Sequence, residues 1–579
     1  MYDLIIRGGR VVDGTGSVGR MADIAVLDGR IVAVEADLPG EAAEVIDATG
    51  RLVTPGFVDV HTHYDGQATW DTLLEPTSGH GVTTVVMGNC GVGFAPVRPG
   101  KEEWLVQLME GVEDIPGTAL HEGIQWAWET FPEYLDALDA RQYAIDIAAY
   151  IGHGPLRAYV MGDRGARNEE ATAEDVAEMA RIVREAVEAG AVGFSSSRTL
   201  SHKARDGEPV PGTFAAEDEL NGIADALVEA GGALFEVAPQ GLEFDPPTLL
   251  GEVDILSRIA TRTGLPVTFA MLQNTVQPDS WRDVLATVDR TTAAGGRLYP
   301  QIAARPFGMM IGWASYHFFA KRPTFATLAA ALPHDELLTR LRDPEVKAAI
   351  LAETDLPPDA TRQFDMIGAM FCASTNKIYA MGLTPDYEPG PDLLLSNLAA
   401  TQGRDPLDLA YDLMNTDGGR AFLMLPFFNF VNGTQDAIYE MLNHPMTISG
   451  LSDGGAHVRM ICDASIPTYL LTHWTRDRKG PQLSIEQAVK MQTSDTASLV
   501  GFDDRGTLEV GKRADINVID FEALNLGFPE AHDDLPAGGR RLVQAATGYD
   551  YTVVAGEITR RAGIDTGARP GRLVRSSPR

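Results

Sequence analysis

Cysteine is scarce in this chain: Cys90, Cys372 and Cys462 are the whole supply in 579 residues. So few thiols cannot build a disulfide framework, and a reducing cytoplasm is the expected setting. Long apolar runs are lacking as well. The opening stretch MYDLIIRGGRVVDG is interrupted by charge every few residues and reads as neither a signal-peptide core nor a membrane span. Positive charge is in deficit, since 47 Lys and Arg against 81 Asp and Glu leave a net charge of -34. A surface of that sign repels phosphate backbones and anionic lipid, so neither nucleic acid nor membrane is an expected partner. Local cations can still receive a substrate carboxylate. Internal repeats and low-complexity tracts are absent, and only the last few residues read as disordered.

What the chain has in abundance is core. An apolar fraction of 44% with 22% charged residues is that of a globular protein, and the length suits a large α/β barrel with a satellite domain. Residues 1–54 hold short β-rich runs at Leu4–Ile6, Ile24–Leu27, Ile31–Val34 and Val45–Ile46, with Asp28-Gly29 as a hairpin signal. β-rich composition returns within residues 500–579, at Ala514–Phe521 and Tyr551–Glu557.

Between the ends, residues 55–499 alternate apolar runs with amphipathic helical patterns, the βα order of a parallel barrel. The runs are Phe57–Val60, Thr83–Met87, Ile145–Ile151, Ala191–Phe194, Ala233–Ala238, Leu265–Met271, Leu298–Ile302 and Met446–Leu451. One helix is written plainly: Thr172–Ala189 carries apolar residues at helical spacing, opens on a capping pair of Thr172 and Asp175, and stops at Gly190. The seventh and eighth runs lie much farther apart than a βα connection requires. The intervening stretch, about residues 304–445, is rich in aromatics and proline and is expected to form a lid or subdomain over the barrel mouth. It would serve equally as an oligomer contact, and a homo-oligomer is the expected assembly. A second insertion, Glu102–Pro132 with Trp104, Trp126 and Trp128, follows the second run.

Chemistry concentrates in LVTPGFVDVHTHYDGQATWD, Leu52 to Asp71. An apolar strand closes on His61 and His63, two positions apart, and alternation sends both imidazoles the same way. Such a pair at a strand end is half of a site for zinc or a similar ion. The second run leads to Asn89 and Cys90, and the eighth to Ser452, Asp453, Gly454 and Gly455, followed by His457 and Arg459.

Together with GVTTVVMGNCGVGFAPV at Gly81–Val97, these motifs resemble the amidohydrolase superfamily, and within it the N-acyl-D-amino-acid deacylases, the D-aminoacylase branch. The resemblance spans nearly the whole chain and is most specific at the two ends of the barrel. It implies a TIM-like (β/α)8 barrel beside a small β-sandwich built from both chain ends. It implies that His61, His63 and Cys90 bind a divalent ion, zinc or similar, and that Asp453 contacts it and serves as base and then acid. The implied reaction is hydrolysis of an amide C–N bond in a small acylated substrate, most naturally an N-acyl-D-amino acid. A cyclic amide, lactone or ester is the alternative substrate, and a silent barrel retained as a scaffold is the non-enzymatic one.

The chain departs from that pattern in two runs. Relatives of this branch carry metal-binding histidines after the fifth and sixth strands, whereas FEVAPQG and FAMLQN contain none. By register, Val237 and Met271 would fill those slots. Glu236 could compensate only if its strand were shifted or bulged, since alternation sets it opposite Val237. One tightly bound ion per chain is therefore expected. Ser195–Ser197, after the fourth run, offers no lysine for a carbamate bridge. His153 and His202 follow strands three and four as donors behind the ligands or plain loop residues. Arg198, Arg305 and Arg459, with His457 and His202, are candidate contacts for a substrate carboxylate, because guanidinium binds carboxylate in bidentate fashion.

Overall fold

The computed structural model describes residues 1–359, 363–382 and 384–576. Its eight apolar runs become eight parallel strands: Phe57–Thr62, Val82–Met87, Asp146–Gly152, Gly193–Ser197, Leu234–Ala238, Pro266–Ala270, Arg297–Ile302 and Ile448–Ser449. They are hydrogen-bonded in that order, and we number them one to eight. The circle closes where the chain beyond strand eight runs beside the end of strand one. There the Asp453 N–H donates to the His61 carbonyl at 3.2 Å and the His63 N–H to the Gly454 carbonyl at 2.7 Å. The architecture is the expected TIM-like (β/α)8 barrel.

Strands one and two are buried at every residue, which is why they read as continuous apolar runs rather than alternating ones. Inside, Val58, Val60, Val86, Tyr150, Leu234 and Ile448 fill the barrel floor. Outside, Phe57, Val85, Phe235 and Val237 pack under the helices. The helix Ala173–Glu188 has the capping box foreseen for it: Thr172 Oγ1 accepts the Asp175 N–H, and the Asp175 carboxylate accepts the Thr172 N–H. Met179, Val183, Ala186 and Val187 form its buried stripe.

Both chain ends meet in one nine-stranded sheet. Leu52–Pro55 pairs in parallel with Tyr2–Val11 and antiparallel with Ile516–Ile519, around a core that includes Ile6, Ile24, Ile516 and Val518. Asp28 and Gly29, at φ 50° and 71°, make the tight turn their sequence announced. Later residues return to the barrel. The hairpin of Asn525–Leu535 and Gly539–Thr547 docks through the Leu542 N–H, which donates to the Val458 carbonyl at 2.6 Å. The terminal stretch runs along strand three, where the Val574 N–H donates to the Ile147 carbonyl at 2.7 Å.

The long insertion carries regular structure. Gly308–Ile311, Leu423–Pro426 and Tyr379–Ala380 form a small antiparallel sheet, and Trp313, Phe318, Phe319, Phe325 and Tyr411 belong to a second apolar cluster that also takes in Met460 and Ile461 from beyond strand eight. Phe427 and Phe428 meet Phe244 from the loop after strand five. A cleft of about 520 Å³, lined by Phe244, Phe427 and Phe430, opens toward Thr275, beyond strand six.

Candidate metal centre

Strand one delivers its histidines through an irregularity. Val58 and Val60 both pack in the floor cluster, so strict alternation would turn His61 outward. The register against strand two slips between Asp59 and Thr62, and this bulge re-aims His61 toward the mouth. Simple alternation, the basis of the sequence expectation, gave the right convergence without this step. Cys90, Leu451, Asp453 and His457 have φ of 56°, 57°, 49° and 47°. Non-glycine residues in that left-handed region cost about 1–3 kcal/mol each and persist only where the surroundings hold them. Here they cluster around one barrel mouth.

The ligand atoms of His61, His63 and Cys90 lie within 4.8 Å of one another. Cys90 Sγ is 3.4 Å from His61 Nε2, and Asp453 Oδ1 is 3.4 Å from His61 Nε2 and 3.8 Å from His63 Nε2. His61 Nδ1 is held by Gln301 Oε1 at 2.8 Å; the proton on that nitrogen leaves Nε2 with its lone pair toward the cluster. Histidine nitrogen, cysteine sulfur and carboxylate oxygen form the donor set that zinc and its neighbours take.

The electrostatics also call for a cation. Burial, followed by the charge of Glu236, raises the Cys90 thiol well above its ordinary value, so a thiolate there needs a positive partner. Burial presses His61 down to about 4. For His63 burial acts downward too, but Glu113 and Asp453 outweigh it and lift the ring to about 9. Burial works against the Asp453 carboxylate, yet His63 and His61 bring it down to about 2. Its ionised form is therefore set at neutral pH. The carboxylates of Asp453 and Glu113 flank the two imidazoles, with Glu236 beside Cys90, so the lining is acidic and suits a positive ion. The residues present fit a divalent cation.

Glu236 corrects the expected register. Leu234 packs in the floor cluster while Phe235 and Val237 lie in the outer layer, so Glu236 is the residue of strand five that faces the site. It needs neither bulge nor slip. Its Oε2 accepts the Cys90 N–H at 3.0 Å, its Oε1 has no hydrogen-bond partner, and burial lifts the carboxyl to about 8.

Two arginines chosen from sequence are occupied elsewhere. Arg305 is fully buried, 2.8 Å from Asp463 and 2.9 Å from Ser465, with its guanidinium over the Tyr387 ring. Arg198 is bidentate to Glu252 at 2.6 and 3.0 Å. Both guanidiniums are thus committed to buried ion pairs, with Asp463 and Glu252. Arg459, at the mouth, bonds Asp114 and the Tyr316 hydroxyl. His457 sits beside it, half-buried. His202 Nδ1 meets Ser197 Oγ at 2.9 Å, and burial keeps the ring neutral by lowering it to about 3. His153 faces away, pairing with Ser196 and Glu219.

Three groups behind the ligands were not singled out from the sequence. Gln301 is the penultimate residue of strand seven. Asp59, beneath the histidines, accepts the Ser452 hydroxyl and the His61 N–H. Glu113 closes the helix Glu102–Glu113 and sets Oε1 3.3 Å from His63 Nδ1. The strand positions of Gln301 and of Asp59, two residues before His61, could have been read in advance, whereas that of Glu113 could not.

A parallel eight-stranded barrel with its ligand cluster at the C-terminal ends of the strands is the frame of a metal-dependent hydrolase. The sequence profile of the amidohydrolase family matches residues 44–560, and the chain belongs to that family, which acts on C–N bonds other than peptide bonds. A Mycobacterium tuberculosis protein described as uncharacterized is 29% identical, covering 99% of this chain and 96% of its own. The D-aminoacylase of Alcaligenes xylosoxydans xylosoxydans is 31% identical over 52% of this chain and 64% of its own length. The solved N-acyl-D-glutamate deacylase of Bordetella bronchiseptica, in complex with zinc and a phosphonate mimic of the tetrahedral intermediate, superposes with a TM-score of 0.65 at 25% identity, covering 99% of this chain and 100% of its own. These relatives place the chain in the D-aminoacylase branch.

Proposed function

We propose that this chain hydrolyses the amide bond of an N-acyl-D-amino acid or related small amide, with one tightly held divalent ion, zinc or similar, on His61, His63 and Cys90. The observation that carries the reading is the convergence of those three ligand atoms with Asp453 Oδ1 at the barrel mouth. Such an ion supplies a Lewis acid that polarises the acyl carbonyl and acidifies an attacking water. Asp453, already ionised, takes the proton of the water and, as the acid so formed, returns it to the leaving nitrogen. Glu236 holds the backbone of Cys90 and turns its free oxygen toward the same space, as a supporting ligand.

At the rim, His202 and His457 are the groups left to receive the polar end of a substrate, with Arg459, already paired with Asp114, beside them. The aromatic wall of Phe244, Phe427 and Phe430 along the cleft suits an apolar acyl chain and would exclude water when occupied. The substrate class is supported by the acylated D-amino acids in the names of the relatives. No described helix is long and apolar enough to cross a membrane. The free state of Cys90, Cys372 and Cys462 supports a reducing, cytoplasmic setting, and a homo-oligomer is the assembly we expect.

Elemental analysis of the purified protein, paired with a panel of N-acylated D- and L-amino acids, tests the reading. Metal together with release of D-amino acids is expected. Turnover confined to cyclic amides, lactones or esters would replace the substrate class, and a chain with neither metal nor turnover would be a scaffold.

A further inference from the structure

The helix Glu102–Glu113 belongs to neither the barrel repeat nor the long insertion, yet its last residue reaches the centre of the mouth. Glu113 is 1% exposed, and its Oε1 stands 3.3 Å from His63 Nδ1. Both atoms are buried without a hydrogen-bond partner, so what joins them is an ion-pair contact set by charge and proximity. The opposite nitrogen of the ring, Nε2, faces Asp453 Oδ1 at 3.8 Å. The two ring nitrogens of His63 are thus divided, one toward a carboxylate behind it and one toward the ligand cluster.

The backbone around Glu113 fixes that carboxylate in place. The His457 N–H donates to the Glu113 carbonyl, tying the helix end to the loop that carries Asp453. Asp114 follows at φ 52° and accepts from Arg459 Nε at 3.1 Å and from the Tyr316 hydroxyl at 2.8 Å. Tyr316 lies in the long insertion. One helix terminus therefore touches a proposed ligand, the strand-eight loop and the long insertion.

We infer that Glu113 is the positioning residue of the metal centre, fixing the tautomer and the direction of His63 so that Nε2 is presented to the ion. The inference rests on the metal-centre reading above and deepens it. His61 is aimed by the neutral amide of Gln301, whereas His63 is aimed by a charged group. A carboxylate behind the ring raises its basicity as a ligand as well as orienting it. Asp114 and Arg459 clasp this geometry to the mouth loops.

The test measures Zn2+ affinity by competition with a chromophoric chelator, and the visible absorption of the Co2+-loaded protein. Wild type, Glu113→Gln, Glu113→Ala and Glu113→Asp are compared, with thermal unfolding recorded for each. Glu110→Ala, one turn earlier and paired at the surface with Arg205, is the control. Glu113→Ala should lose about 10- to 100-fold in affinity, the scale for a partner behind a metal ligand, and should change the Co2+ spectrum. Glu113→Gln, with nearly the same shape, should weaken binding less, Glu113→Asp should recover part of the loss, and Glu110→Ala should bind as wild type does. If wild type binds and Cys90→Ala does not, but the Glu113 variants keep wild-type affinity and spectrum, the positioning role is overturned while the metal centre stands. Wild type that binds neither ion overturns both. Should Glu113→Ala fail to fold, the isosteric Glu113→Gln decides by the same criterion.

Discussion

Glu236 and Cys90 meet across the barrel mouth, with the carboxylate of one accepting the backbone N–H of the other at 3.0 Å. The bond holds Cys90 in its left-handed conformation and fixes where the thiol points. It also occupies one oxygen of the carboxylate that would otherwise be the anchor of a second ion. Two ions a few ångströms apart repel strongly and need several anionic ligands between them. Elemental analysis after dialysis against a mild chelator should therefore find one ion per chain in wild type and none in Cys90→Ala. Two stoichiometric ions would show that Glu236 and His202 serve as further ligands.

Asp453→Asn separates ligation from proton transfer. Asparagine keeps an oxygen near His61 and His63 but cannot accept a proton. Turnover should fall by at least about a hundredfold, the usual scale of general acid–base contributions, with the fold and most bound metal retained. Near-normal turnover in that variant would remove Asp453 from the chemistry.

Arg305→Ala should act on stability. The guanidinium is buried against Asp463 and the Tyr387 ring, and breaking a buried pair leaves an uncompensated charge, at a cost of about 3–5 kcal/mol. Denaturant unfolding should show the loss. An intact transition midpoint with a raised KM would mean instead that Arg305 does bind substrate.

Acid sensitivity is expected from Glu388. Burial works against its charge, but His473 and Arg478 outweigh it and bring the carboxyl from 4.5 to about 2. A depressed folded value means that the stabilisation is complete above the unfolded value near 4.5 and disappears as pH falls toward 2. In Glu388→Gln the unfolding midpoint should be lower than wild type at pH 7 and the difference should shrink below pH 4. A difference independent of pH would assign the effect to packing.

The sequence by itself determined the barrel, because strands buried on both faces must be written as apolar runs and the helices between them carry their own caps and stripes. Its motifs, through their resemblance to the family, singled out His61, His63, Cys90 and Asp453 at strand ends, and the structure brings these side chains together. The tertiary structure alone decided the rest. Only pairing with strand two shows the bulge that turns His61 inward, and only the floor cluster shows that Glu236, not Val237, faces the site. Arg198 and Arg305 looked like substrate cations because a sequence does not disclose that Glu252 and Asp463 fold against them. Glu113 was illegible altogether: it ends an ordinary amphipathic helix in an insertion, and its role arises from contacts with residues distant in the chain, His63 and His457, that no local pattern encodes.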